Sequence, residues 1–479
     1  MSEKNTTTEN RANSGKKNSL LSMISVGVFM LGINAIQIVV IQNYPFFFQT
    51  RMQLSITWMF WASVIYTIWD MFNDPIMGNL SDQNYRFTKR WGKRLPWMLF
   101  GTIGLVFALI LLFSPPLNQI GSNIFLFFWF LIFLSAYDGL LSAITVNYNA
   151  LIPVKFKSKE ERIKVSVFIQ LFIILGPAIG LGILPKILTD DPKSYISMSI
   201  FLVVFVIISL VLALPGLKES SELKESYFLM EREKIPFFRE FIKNLKQALS
   251  QKAFLVYAVV TVAITVSLAI INASVPYYVE YVLGIGSSSQ PDLYGETLST
   301  LNMPFIITSL FLIPIHFVIV KKLGHIKAFK FSLLLAPIPL MLIFLSLGNM
   351  PMVMLGAAIW GFLGGIIVIA RTPVAGDFFD ESAIKYKLRQ EGMYLGLWNF
   401  FSRLVTVIEL GIFTIIQNVT GFDATASIQS PLAKLGIMTQ FGLIPAIILI
   451  IAALIFWRYW SITPEIAEIN KKKLDELGI

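Results

Sequence analysis

Residues 65–82, IYTIWDMFNDPIMGNLSD, form an apolar segment that carries two carboxylates, Asp70 and Asp74. In a helix, residues four apart share one face and approach within about 6 Å. Each carboxylate at mid-membrane costs roughly 2.5–3.5 kcal/mol on insertion scales, and the two negative charges also repel each other. A proton, a metal cation or a basic partner must therefore neutralise this pair.

Two further groups in this segment can help to bind a cation. Pro75 removes one helical hydrogen bond and leaves the carbonyl of Met71 without its donor. Together with Asn73 and the two carboxylates, this carbonyl predicts an oxygen cage for a small cation such as Na⁺. A structural ion pair with Arg403 or another base is the alternative.

The whole chain has the composition of a membrane protein. It has 479 residues, 55% hydrophobic and only 14% charged, with a mean hydropathy of +0.69. Soluble domains carry about 25% charged residues. The composition thus excludes a soluble globular protein, a disordered chain and a coiled coil, and it predicts a polytopic membrane protein.

Several function classes find no support in the sequence. Cysteine is absent, and the histidines are only His316 and His325, which disfavours a zinc enzyme. There is no Gly-x-x-x-x-Gly-Lys-Ser/Thr motif for ATP. An intramembrane aspartyl hydrolase needs facing carboxylates from separate helices, whereas Asp70 and Asp74 share one. We therefore expect neither an enzyme nor a cofactor other than a coupling ion.

Twelve apolar segments are long enough to cross a membrane as helices. They are residues 19–42, 55–80, 96–114, 123–150, 166–185, 196–215, 253–283, 298–320, 328–348, 351–375, 392–418 and 436–458. With this topology, 33 of the 39 Lys and Arg residues fall on one side of the membrane and four on the other. The positive-inside rule places the basic side, with both termini, in the cytoplasm.

The one long charged loop, 216–252, divides the chain into two halves of six segments, 19–215 and 253–460. This all-α layout, two six-helix bundles joined by a cytoplasmic linker, resembles the major facilitator architecture. Residues 1–18 are predicted to be a disordered cytoplasmic tail and 461–479 a second cytoplasmic tail. Part of the linker, about 237–250, has amphipathic spacing and is either a membrane-surface helix or a solvated connector.

Polar side chains from both halves fall near mid-membrane. Asn34, Asp70 and Asp138 come from the first half and Arg403 from the second. Groups at one depth predict a central polar cavity of the kind in which alternating-access carriers bind substrate. A simple ion pair between Asp138 and Arg403 across the interface is the alternative.

Two clusters in the predicted cytoplasmic loops combine acidic and basic side chains, and the first also contains glycines. Such groups can latch neighbouring helix ends, so we predict a cytoplasmic gate. Its residues are Gly78, Asp82, Gly92, Lys93 and Arg94 in the first half and Asp377, Asp380, Arg389 and Glu391 in the second.

The stretch WDMFNDPIMGNLSDQNYRFTKRWGKRLPWMLFG, residues 69–101, resembles the glycoside–pentoside–hexuronide:cation symporters, the family of the melibiose carrier. The shared pattern is W-D-x-x-N-D-P-I-M-G followed by R-W-G-K-R-x-P-W. Further similarities lie in NYNALIP at 147–153, in YYVEYVLG at 277–284, and in D-x-x-D at 377–380 leading to RQEGMY at 389–394. The resemblance covers most of the chain.

This resemblance implies roles for individual residues. Asp70 and Asp74 match the cation-site carboxylates of the family. Ser142 and Thr145 match the part of that site on helix four, although Thr145 replaces a carboxylate. Arg403 matches a lysine near sugar and cation.

Other positions depart from the family pattern. Asn34 falls where the melibiose carrier has a sugar-binding aspartate, and Asn149 where it has a stacking tryptophan. The usual arginine of helix five is absent near Ile169 and Gln170. These changes put galactoside specificity in doubt, and Asp138 is our candidate to replace one lost carboxylate. The implied substrate-binding set is Asn34, Asp138, Thr145, Asn149 and Arg403.

The expected function is therefore symport of a sugar or glycoside with Na⁺ or H⁺ by alternating access in the cell membrane. The expected partners are a small-molecule substrate and the lipid bilayer, without nucleic acid, and the carrier is expected to be a monomer. A lysophospholipid carrier of the same fold, known in animal relatives, and an uncoupled facilitator remain open. Two functions of other classes also remain open, a passive channel and a non-transporting sensor. A sensor, however, would have no need of a buried aspartate pair.

Overall fold

A computed structural model of the chain describes residues 18–83, 85–156, 158–229, 237–286 and 293–477. Most of the predicted N-terminal tail, residues 1–17, lies outside the described residues. So do the linker residues 230–236 and the last two residues of the predicted C-terminal tail.

The described residues fold into helices and contain no strand. The first half comprises α1 (Leu20–Phe46), α2 (Ile56–Asp82), α3 (Leu95–Leu112), α4 (Asn123–Lys155), α5 (Lys159–Gly182) and α6 (Lys193–Leu217). The linker holds α7 (Ser221–Leu229) and α8 (Phe237–Leu249). The second half comprises α9 (Lys252–Tyr277), α10 (Tyr294–Phe311), α11 (Ile313–Leu323), α12 (His325–Leu335), α13 (Pro337–Phe344), α14 (Met350–Tyr386), α15 (Glu391–Ser402), α16 (Val405–Thr420), α17 (Pro431–Met438) and α18 (Ile444–Tyr459), with α19 (Pro464–Leu477) at the end.

Ten helical segments of the described chain are long and apolar enough to cross a membrane, and a bent pair, α10 with α11, brings the number to at most eleven. The remaining predicted segment is α2, which has 27 residues but is not among them. Helix α2 carries Asp70, Asn73 and Asp74, and these polar residues lower its apolar character. The chain is thus a multi-pass membrane protein, while the count of twelve and the cytoplasmic termini stay predictions.

Three predicted segments are each interrupted by one or two residues that are not helical. Helices α10 and α11 meet at a 54° bend, where Pro314 stands in the first turn of α11. The chain breaks again between α12 and α13, before Pro337, and between α15 and α16 at Arg403 and Leu404. The last break places the arginine at a helix end.

Glycines allow close packing inside the first half, where α1 lies against α5 and α6. A Cβ at Gly176 of α5 would lie 2.6 Å from the carbonyl oxygen of Leu31, and one at Gly32 would lie 2.9 Å from the Ser209 hydroxyl. Small residues at these positions let the backbones of membrane helices approach.

The two halves meet through α1 and α9, α2 and α16, and α5 and α10. Polar bonds cross this interface toward the predicted outer end. Gln42 donates to Asn302 at 3.3 Å, Tyr277 donates to Gln49 at 2.6 Å, and Gln49 donates to Gln417. These contacts close the predicted outer end in this conformation.

Helices α1 and α9 end in the same way. Pro45 and Pro276 each precede a π-helical turn, Phe47–Arg51 and Tyr278–Val282. The chain then takes a left-handed residue, Gln53 with φ 58° or Gly284 with φ 72°. Both ends project into the contact between the halves.

Candidate functional site

Arg403 binds a cluster of three carboxylates from the first half, two of them buried and the third, Asp74, half-buried. Its Nη1 lies 2.6 Å from Asp70 Oδ1 and 3.8 Å from Asp138 Oδ1, and its Nη2 donates to Asp74. Asp70 and Asp138 are 4% and 6% exposed. The structure thus brings together three carboxylates and one guanidinium that the sequence separates by up to 333 positions.

Asn73 connects this cluster to helix α4. Its amide donates to Asp138, and its carbonyl oxygen accepts from the Ser142 hydroxyl at 2.9 Å. Asn73 is fully buried and lies between the two aspartates of α2. The sequence predicted Asn73 as part of an oxygen cage but not its link to α4, because these bonds depend on the packing of α4.

The cluster is short of positive charge. An arginine remains protonated in proteins, so Arg403 supplies one positive charge to three acidic side chains. Full ionisation would leave an uncompensated negative charge in the membrane, which is strongly unfavourable. The cluster can therefore take up further cations, either protons or a small metal ion.

The donors present suit Na⁺, since carboxylate, amide and hydroxyl oxygens converge here. In this conformation, however, no three His, Cys, Asp or Glu side chains of the described chain are arranged around a common metal position. Arg403 occupies the space between the carboxylates, so a metal ion would bind in competition with the guanidinium.

Three other predicted residues form no described hydrogen bond with the cluster. Asn34 donates its amide to the Met30 carbonyl of its own helix at 2.8 Å. Thr145 likewise bonds to the Leu141 carbonyl at 3.0 Å, and Asn149 is exposed. Their roles in substrate binding stay predictions.

A cavity of about 320 Å³ opens beside the cluster, between α2 and α15. Charged and amide side chains line one part of it, and apolar side chains line the rest. The lining residues are Asp70, Met71, Phe72, Asp74, Pro75, Asn244, Gly392, Met393, Gly396, Leu397, Asn399, Phe400 and Arg403. The α15 wall was not predicted, although Gly392 and Gly396 at four-residue spacing are a signal for an open helix face.

The first cluster of the predicted gate pairs within the first half and the linker. Arg94 binds Asp82 at 2.6 Å. The backbone N–H groups of Lys93 and Arg94 donate to Glu219 at 3.1 and 2.7 Å. Gly92 has φ 95°, and a Cβ there would lie 2.6 Å from the Glu219 carboxyl. Glycine is thus required here, and Glu219 is a member of the cluster that the sequence did not indicate.

The second cluster pairs within the second half. Asp377 lies 2.8 Å from the His325 ring, and Arg389 lies 3.0 Å from Glu391 and 3.7 Å from Asp380. Gly78 lies apart on α2, where a Cβ would be 3.7 Å from Val146 of α4. That either cluster acts as a cytoplasmic gate stays a prediction.

A separate group of charged side chains, Arg51, Asp190 and Glu280, closes the predicted outer end. Arg51 donates to both oxygens of Glu280, with Nη1 to Oε1 at 2.9 Å, and lies 3.3 Å from Asp190. Burial raises the pKa of Asp190 to about 6, even though Arg51 acts in the opposite direction. Arg51 and Glu280 come from different halves, so this pair exists only while the halves touch at this end.

Comparison with known proteins agrees with this architecture. A family model described as MFS/sugar transport protein matches residues 25–463. The chain belongs to this family. It is therefore a multi-pass membrane transport protein of the MFS.

Individual relatives of this MFS protein carry different substrates in their names. The sodium-dependent lysophosphatidylcholine symporter 1 of Xenopus tropicalis is 22% identical over 458 residues, 87% of this chain and 82% of the relative. A glucuronide carrier protein homolog of Escherichia coli is 22% identical over 433 residues, 85% of this chain and 86% of the relative. A symporter of Synechocystis is 36% identical over 121 residues, 24% of this chain and 21% of the relative.

Proposed function

We propose that this MFS transporter is a symporter that couples inward movement of Na⁺ or H⁺ to uptake of a sugar or glycoside across the cell membrane. The observation that supports coupling is the cluster of Asp70, Asp74 and Asp138 around the single Arg403, directly beside the cavity. One chain supplies both sides of this site, so we propose that the monomer transports and needs no cofactor beyond the coupling ion.

Coupling follows from the charge of the cluster. A cation that binds the aspartates replaces Arg403 as their partner and frees the guanidinium toward the cavity. The guanidinium can then donate hydrogen bonds to substrate hydroxyl or carboxylate oxygens. Cation and substrate each favour the same arrangement of Arg403, which is the reciprocal coupling that symport requires.

The test is uptake by purified protein in liposomes. Labelled glycosides, pentoses and hexuronates are offered with a sodium gradient, a proton gradient or no gradient. Asp74→Asn removes one carboxylate of the cluster, and Glu296→Gln is the matched control, because Glu296 is exposed. Accumulation that needs a gradient, fails with Asp74→Asn and persists with Glu296→Gln supports the proposal. Gradient-independent equilibration in all three proteins would contradict coupling.

A lysophospholipid is the second candidate substrate, because the cavity has an apolar wall beside its charged end. Met71, Phe72, Met393, Leu397 and Phe400 line this wall, and Phe72 is 45% exposed on the surface of α2. An alkyl chain could therefore lie along the wall and extend into the bilayer, while a polar headgroup stays near the charges. The relatives named as lysophosphatidylcholine symporters add to this case.

The two substrates are distinguished by adding labelled lysophosphatidylcholine to the same uptake panel. Phe72→Ala removes apolar wall next to the bilayer and leaves the aspartates in place. A lipid substrate would lose affinity with Phe72→Ala. Uptake of a small glycoside, which has no chain to lie against this wall, would change little.

A further inference from the structure

Another buried acid, Glu409, lies on α16 outside the central cluster and is 2% exposed. Phe413 and Gln417 follow it at four-residue spacing and so share its helix face. Phe413 packs edge-on against Tyr277, with ring centroids 5.8 Å apart, and Gln417 accepts a hydrogen bond from Gln49 of the first half. Glu409 therefore faces the closed interface between the halves.

No described residue forms a hydrogen bond or an ion pair with Glu409, and its Oε1 is buried. The hydroxyls of Tyr44 of α1 and Tyr277 of α9 lie near its carboxyl and supply no positive charge. Helix α2, which packs against α16, carries Tyr66, Asp70 and Asp74 and no basic residue. The nearest base along the chain, Arg403, is already bound to the aspartates of α2. Lys434 is the titratable side chain of α17, which also packs on α16, and no contact joins it to Glu409.

An ionised carboxylate in such a place would have neither water nor a counter-charge. Burying an unpaired charge is far more unfavourable than burying the neutral acid. While the outer end is closed, Glu409 must therefore hold its proton. Once the halves separate at this end, water can reach the interface and the ionised form is no longer penalised.

We propose that Glu409 is a proton-binding site, separate from the aspartate cluster, and that closure of the predicted outer end takes up one proton at this residue. Low pH then favours the closed outer end and high pH favours its opening. The proposal requires no substrate, so it stands or falls independently of the proposed symport.

The absence of native cysteine makes the opening directly measurable. Ser274 is 1% exposed and lies one turn before Tyr277 on α9, so a thiol at Ser274→Cys should react only when the outer end opens. Purified protein in nanodiscs is treated with a maleimide from about pH 5 to about pH 9, without substrate. Each rate is divided by that of the denatured protein, which removes the pH dependence of the thiol itself.

All proteins in the series also carry Asp190→Asn, because Asp190 titrates at the same end. With Glu409 intact, we expect the normalised rate to rise with pH by up to about tenfold per pH unit, the limit for one proton. Glu409→Gln, which imitates the protonated acid, should stay slow at every pH. Glu296→Gln, an exposed outer-end control, should behave like the parent.

Glu409→Met provides a second uncharged side chain in case Glu409→Gln does not fold. The unfolding temperature of each variant shows whether it is folded. A pH dependence that persists in folded Glu409→Gln would overturn the proposal and assign the proton to another group, the aspartate cluster being the first to examine. A rate that does not change with pH in the parent would overturn it as well.

Discussion

Glu280→Gln should open the predicted outer end of the transporter. In the closed end Arg51 donates to both carboxylate oxygens of Glu280, and the two side chains are only 9% and 5% exposed. Removing one partner of a buried pair destabilises by about 3–5 kcal/mol, because the other charge is left without its counter-ion. Asp190, 3.3 Å from Arg51, retains part of the compensation, so we take the lower end, about 3 kcal/mol.

This free energy acts on the closed state alone, because water solvates both groups once the halves separate. At about 1.4 kcal/mol per factor of ten, the ratio of closed to open protein should fall by about 100-fold. The labelling rate of Ser274→Cys rises as this ratio falls. Glu280→Gln should therefore raise the labelling rate toward that of a freely accessible thiol.

Two controls accompany this measurement. Glu296→Gln removes an exposed carboxylate at the same end and should leave the rate unchanged. The charge-swapped double variant, Arg51→Glu with Glu280→Arg, should return the rate at least part of the way to that of the parent. An unchanged rate in Glu280→Gln would refute the reasoning, because the pair would then contribute nothing to closure.

Two further predictions concern pH and packing. Burial raises the pKa of Asp190 to about 6, against the influence of Arg51. The contribution of protonated Asp190 to closure is therefore complete below about pH 4 and is lost as the pH rises through about 6. In a Glu409→Gln background, which removes the other proposed proton site, labelling of Ser274→Cys should follow this profile, and Asp190→Asn should remove it. Gly365→Ala should lower the unfolding temperature, because its Cβ would lie 2.3 Å from the ring of His316, an overpacking that costs about 1–3 kcal/mol; the adjacent Gly364→Ala, with open space around it, should leave the temperature nearly unchanged.

The chemistry of the site could be predicted from one helix. The four-residue spacing of Asp70 and Asp74 indicated a shared face, and the expense of acids in a membrane indicated a cationic partner. Arg403 was among the candidates because it lies inside an apolar segment. Its pairing with both aspartates depends on how α2 packs against the end of α15, which local sequence does not encode.

The shape of the membrane helices was predicted less well, and the reasons are local. Hydropathy indicates that a segment is apolar but not that it is straight, so the bend before Pro314 was missed. The same measure falls where polar groups interrupt an apolar segment, which is why α2 does not qualify as a span by composition. The ionic pair of Arg51 and Glu280 was missed because both residues stand at segment ends, where charges are ordinary.

The matched ends of α1 and α9 carry a consequence for the origin of the molecule. Counted from Pro45 and Pro276, Phe46 and Tyr277 are equivalent positions, and their rings touch edge-on with centroids 4.9 Å apart. Contact between equivalent positions is the mark of a pseudo-two-fold axis, the arrangement that a dimer of identical six-helix units would have. In an identical dimer a residue on the axis would face its own copy, whereas the residues that meet here are a phenylalanine and a tyrosine. A single fused chain allows the copies to diverge, so that an arginine at one end can meet a glutamate at the other.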